Sequence, residues 1–67
     1  MSSFGENLKT IRKLNKISQK DFAKKMGTTQ QRVSEWECDK VEPTLYNVLK
    51  IIRILKTSFE ELTDGID

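Results

Sequence analysis

Four side chains within six positions, Gln30, Gln31, Arg32 and Glu35, carry hydrogen-bonding groups that suit the edges of base pairs. A glutamine amide matches adenine N6 and N7, a guanidinium forks onto guanine O6 and N7, and a carboxylate accepts from cytosine N4. Polar residues of these kinds also occur on any solvated helix face. Their meaning therefore depends on whether the chain presents them on an element that fits a major groove.

Other chemistry is poorly provided for. With no histidine and a single cysteine, Cys38, neither a Cys/His zinc site nor an internal disulfide can form. No nucleophile–base pair, metal-binding constellation or phosphate-cradling glycine loop is present, so the sequence points away from an enzyme and calls for no cofactor. Sixty-seven residues allow one domain, taken as residues 1–67, and 36% hydrophobic residues supply one small core. No apolar run exceeds two residues, which excludes a membrane-spanning helix and a signal-peptide core. The lone thiol suits a reducing cytoplasm.

The net charge of +2 conceals a polarised chain. Residues 1–32 carry eight basic groups against Glu6 and Asp21, a net of +6, and residues 33–67 carry four basic against eight acidic groups, a net of −4. Such asymmetry fits a protein of which one part meets a polyanion. Lysines that merely solvate helix faces would give the same count.

The elements that must position the four side chains are helices. No stretch alternates apolar and polar residues, whereas helix start and stop signals recur at short intervals. Ser3 to Glu6 fits a capping box, after which Phe4, Leu8, Ile11 and Leu14 form one apolar stripe. Ser18 opens a second helix with Phe22, Ala23 and Met26 inward, and Gly27 is placed to end it in the left-handed conformation. Thr28 or Thr29 caps a third, with Val33 and Trp36 inward; Trp36 is assigned to the core rather than to base stacking. The segment from Cys38 to Glu42 reads as a loop, Cys38 having no special chemistry there. Pro43 and Thr44 introduce a fourth helix with Leu45, Val48, Leu49, Ile52 and Leu55 as its stripe. Ser58 and Glu61 bracket a fifth, with Phe59 and Leu62, that ends near Gly65.

The second and third helices are separated by only Gly27, Thr28 and Thr29. So short a connection suits helices crossing at roughly 90–120°. Close backbones at that crossing need a small residue, and Ala23 supplies it. Together these choices predict a helix-turn-helix, which places the first residues of its second helix, here Gln30, Gln31 and Arg32, at base edges.

The run from Ser18 to Glu37, with Pro43-Thr44-Leu45 and Thr57-Ser58-Phe59-Glu60-Glu61-Leu62, resembles the Cro/C1-type (XRE) helix-turn-helix family over roughly residues 6–63. This resemblance implies an all-α, five-helix, lambda-repressor-like domain with the motif at residues 18–37. It further implies a sequence-specific transcriptional regulator, expected to be a repressor, in the cytoplasm of a prokaryotic cell or of its phage or mobile element. Gln30, Gln31 and Glu35 match the family's base-reading positions, with Arg32 beside them. Ser18, Gln19, Thr29, Lys40 and Thr44 match positions that approach phosphates, and Gln19 also supports the first recognition glutamine. Arg12 and Glu37 match a structural ion pair. Three departures stand out. Glu35 replaces the glutamine of a closely similar family member, which should change the base pair read there. Asp39 and Lys56 replace glycines after the third and fourth helices, so those ends are expected to be strained or built differently.

The fourth helix is apolar around more of its circumference than one core needs, through Val48, Leu49, Ile51, Ile52, Ile54 and Leu55. Surplus apolar surface of this kind points to a homodimer on double-stranded DNA. An alternative keeps the scaffold but uses it to bind protein, as the antitoxin of a toxin–antitoxin pair does, with acidic Glu60, Glu61, Asp64 and Asp67 as the partner face.

Overall fold

Each of the five helices begins behind a hydroxyl side chain. In the computed structural model, which describes residues 2–66, these are α1 (Phe4–Leu14), α2 (Gln19–Met26), α3 (Gln30–Glu37), α4 (Leu45–Leu55) and α5 (Phe59–Leu62). Ser3, Ser18, Thr29, Thr44 and Ser58 each accept from the backbone N–H three residues on, at 3.1–3.2 Å. Extended backbone at each cap lets the hydroxyl satisfy one of the donors that a helix start leaves free. Of the two threonines open as caps of α3, Thr29 takes the place. Asp67 lies outside the described residues.

Left-handed residues follow the helix ends, glycines after α2 (Gly27) and α5 (Gly65) and other residues after α1, α3 and α4. Lys16, Asp39 and Lys56 also have positive φ, at 58°, 60° and 51°. Both departures expected to disturb a helix end thus keep the left-handed turn. Asp39 adds something a glycine cannot: its carboxylate accepts from the Gly5 N–H at 2.9 Å and from the Ser3 hydroxyl. The end of α3 is thereby fastened to the start of α1, where negative charge suits the helix dipole.

The core joins all five helices through Leu8, Phe22, Ala23, Met26, Val33, Trp36, Val48, Ile51, Leu55 and Leu62. Two expected stripes are rotated relative to it. In α1 the buried face runs Gly5, Leu8, Arg12, while Leu14 is 75% exposed. Successive spacings of three fall about 60° short of a full turn each time, so the stripe from Leu8 to Leu14 winds off the core. In α4 the buried residues are Val48, Ile51 and Leu55; Leu45 and Leu49 face outward. A helix apolar on most sides does not reveal by periodicity which side faces in. Phe59 in α5 is likewise exposed, leaving Leu62 as its anchor.

Polar side chains stitch the helix ends together. Asn7 donates to the Leu62 and Asp64 carbonyls, both at 2.9 Å, and Asn15 donates to the Leu55 carbonyl at 3.2 Å. Lys50 places its ammonium 3.0 Å from the Met26 carbonyl, at the negative end of α2. Among the described residues no helix is long and apolar enough to cross a membrane.

Candidate nucleic-acid interface

The interface is built from the crossing of α2 and α3. Phe22 and Ala23 of α2 and Val33 and Trp36 of α3 are all at most 2% exposed, so the two helices meet through a small residue flanked by large ones. Gly27, at φ 74°, turns the chain between them, and its N–H and that of Thr28 close α2 on the Lys24 and Ala23 carbonyls. Thr29 then starts α3 with Gln30, Gln31 and Arg32 exposed on its first turn.

A third helix holds this pair in place. A Cβ on Gly5 would lie 2.5 Å from both the Trp36 and Glu37 carbonyl oxygens, so α1 approaches the end of α3 closer than any side chain permits. At the same junction Arg12 and Glu37 are each only 6% exposed. Arg12 Nε donates to Glu37 Oε2 at 2.6 Å and Nη2 to Oε1 at 3.2 Å, while Nη1 donates to the Ile17 carbonyl at 2.7 Å. The expected ion pair is thus formed, and its burial keeps Arg12 from a phosphate. Such a pair persists inside a protein only with good geometry and with its remaining donors and acceptors satisfied. Here they are.

The pair reaches the reading surface through Gln19. Gln19 Nε2 donates to Glu37 Oε1 at 3.0 Å, and Gln19 Oε1 accepts from Gln30 Nε2 at 3.5 Å. A continuous polar chain therefore runs from the α1–α2 turn, through Arg12, Glu37 and Gln19, to the first exposed glutamine of α3. Its last link is long and solvent-exposed, so it places the Gln30 amide beside Gln19 without fixing it there.

Ser18, Thr29 and Thr44 use their hydroxyl oxygens as acceptors in the caps, which leaves each O–H able to donate to an anion. The first N–H groups of α2, α3 and α4 stand beside them without intrahelical partners, as helix starts require. Lys40 is exposed in the loop after α3, its own N–H spent on the Glu35 carbonyl at 2.9 Å. Arg32 and Glu35, separate candidates by sequence, are joined on the outer face of α3 by an ion pair of 3.6 Å.

Three contributors escaped sequence reading. Gly5 had a signal, because a glycine inside a helix pattern is costly by roughly 1 kcal/mol and calls for a reason. Asp39 capping α1 and Glu37 binding Gln19 span 34 and 18 positions, and no local pattern announces either. Among the described residues no cluster of three or more Cys, Asp or Glu side chains is placed to hold a metal ion.

The same architecture recurs in known proteins. A family model described as helix-turn-helix matches residues 8–62. The chain belongs to the Cro/C1-type (XRE) helix-turn-helix family. Among curated members of the family it is 36% identical over 62 residues to the uncharacterized HTH-type transcriptional regulator YqaE of Bacillus subtilis (strain 168), covering 92% of this chain and 53% of that protein. The SPbeta prophage-derived uncharacterized HTH-type transcriptional regulator YonR of the same strain is 37% identical over 62 residues, covering 92% and 57%. This family member spans about half the length of those relatives. Its fold matches that of the P22 c2 repressor protein, whose crystal structure is in complex with synthetic operator 9T in the presence of Tl+. The TM-score is 0.88 at 31% identity, over 97% of this chain and 98% of that one.

Proposed function

We propose that residues 1–67 form a sequence-specific DNA-binding unit of a transcriptional regulator, acting as a repressor by occupying an operator. The observation that carries this reading is the exposed first turn of α3, where the Gln30 amide lies beside that of Gln19 and Gln31 is exposed next to it. The likeness to a repressor crystallised on its operator supports it. Gln30, Gln31, Arg32 and Glu35 read bases. Ser18, Gln19, Thr29, Lys40 and Thr44 grip phosphates, supplying salt-dependent affinity without sequence information. Catalysis plays no part in this reading, and the protein works in the cytoplasm of a prokaryotic cell.

Leu45, Tyr46 and Leu49, 72%, 81% and 50% exposed on α4, support a homodimer on a two-fold operator. In vitro selection from random duplexes tests both levels. Enrichment of one sequence, in inverted repeat, is the expected result; recovery of unenriched DNA overturns the reading.

A second reading, capture of a protein partner as by an antitoxin, is favoured by one observation. An open cleft of about 640 Å³ has an apolar lining that includes Phe4, Val41, Pro43, Phe59 and Ile66. Glu60, Glu61 and Asp64 are also exposed on the C-terminal segment that contributes to it. Absence of any salt-dependent DNA binding would favour this alternative.

A further inference from the structure

The ion pair on α3 joins two residues that point in different directions. Val33, Trp36 and Glu37 are the buried residues of α3 and define its inward side. At about 100° per residue, Gln31 and Glu35 then lie almost opposite that side, and Arg32 emerges about 60° away from Glu35. Its guanidinium nevertheless returns towards the outer face, with Nε 3.6 Å from Glu35 Oε1 and the two side chains 53% and 31% exposed. Contact through Nε leaves the two terminal nitrogens, the prongs that fork onto guanine O6 and N7, without a protein partner among the described residues. Meanwhile the nearby guanidinium partly offsets the carboxylate that would otherwise repel a polyanion.

We propose that Glu35 is a positioning residue. It aims the Arg32 guanidinium at the guanine of a single guanine–cytosine pair, so that the two residues act as a unit at that pair. This inference rests on the DNA-reading function proposed above and goes beyond it, because Glu35 then acts through Arg32 instead of accepting from a cytosine itself. Expulsion of water from the groove lowers the local dielectric and tightens a pair that is loose in the free protein.

The test uses the duplex recovered by selection, variants of it with each G·C pair changed to A·T, and random DNA. Anisotropy titrations compare the unmodified chain with Arg32→Ala, Arg32→Lys, Glu35→Gln and the double variant Arg32→Ala/Glu35→Gln. Both side chains are on the surface, and unchanged circular dichroism melting shows that each variant folds. Arg32→Ala and Glu35→Gln should each lose roughly 5- to 150-fold of discrimination at the same G·C pair. The double variant should lose no more than the larger single loss, the signature of two residues acting as one. Arg32→Lys should keep its affinity for random DNA while losing the discrimination, since an ammonium has no fork. Losses at different base pairs, or losses that multiply in the double variant, would make the residues independent readers and overturn the proposal. A selected site indifferent to both substitutions overturns it too, yet leaves DNA reading intact. Selection that enriches nothing removes the DNA-reading function and this inference with it.

Discussion

Two ion pairs, one at each side of α3, do opposite work. Arg12–Glu37 is close and buried, at 2.6 Å with side chains 7% and 2% exposed; Arg32–Glu35 is 3.6 Å long and open to solvent. Removing one partner of the first strands a charge away from water, whereas removing one partner of the second returns the other to it. The buried pair therefore fixes where α3 lies, whereas the exposed pair bears little on the fold and is left for the reading role proposed above. Loss of one partner should cost little for the outer pair and much for the inner one.

That contrast can be broken in five ways. Glu37→Gln should be the most damaging, destabilising the fold by about 3–5 kcal/mol because the Arg12 charge is left buried without its counter-ion. Urea unfolding followed by circular dichroism measures this, and a loss below about 1 kcal/mol would show that the buried pair is dispensable. Gly5→Ala comes next, at about 1–3 kcal/mol, since its Cβ would overlap two backbone carbonyl oxygens that cannot swing aside. The same unfolding experiment reports it, and a midpoint equal to that of the unmodified chain would mean that α1 and α3 separate freely.

Moving to the reading surface, Gln31→Ala should weaken binding to the selected operator by about 1–3 kcal/mol while sparing random DNA. Equal losses on both would remove Gln31 from base reading. Lys40→Ala should act across all sequences, reducing the slope of log K against log salt by about 1. Titration at several salt concentrations shows whether the slope changes. Smallest of all, Arg32→Ala should shift folding stability by no more than about 0.5 kcal/mol. A destabilisation comparable to that of Glu37→Gln would erase the distinction between the two pairs.

Legibility in the sequence followed the range of the interaction concerned. Ser3, Ser18, Thr44 and Ser58 are readable as caps because each acts three residues away. Gly27 is readable for the same reason, as a local stop. The direction of the α1 and α4 stripes was not readable, because Leu14, Leu45 and Leu49 have the same apolar character as the residues that do enter the core. Resemblance to the family supplied the Arg12–Glu37 pair, which no local pattern in this chain contains. The resemblance also placed Gln19 beside Gln30, but the link from Glu37 to Gln19 is a geometric outcome of the α2–α3 crossing.

Asp39 shows the boundary most clearly. As a replacement for glycine it reads as a source of strain, and its φ of 60° is indeed left-handed. Only the folded chain brings the first turn of α1 within reach of its carboxylate, turning an unfavourable local choice into a cap.

The sequence by itself determined four of the five helix starts, the turn at Gly27 and the identity of the polar side chains on the first turn of α3, since these depend on neighbours within one or two helical turns. Tertiary structure alone decided which apolar faces are buried and that Glu37 reaches Gln19. It also decided that Arg32 and Glu35 stand as a pair on the surface while Arg12 and Glu37 stand as one inside. These outcomes depend on which surfaces meet when helices distant in sequence close on one core, and chain order does not encode them locally.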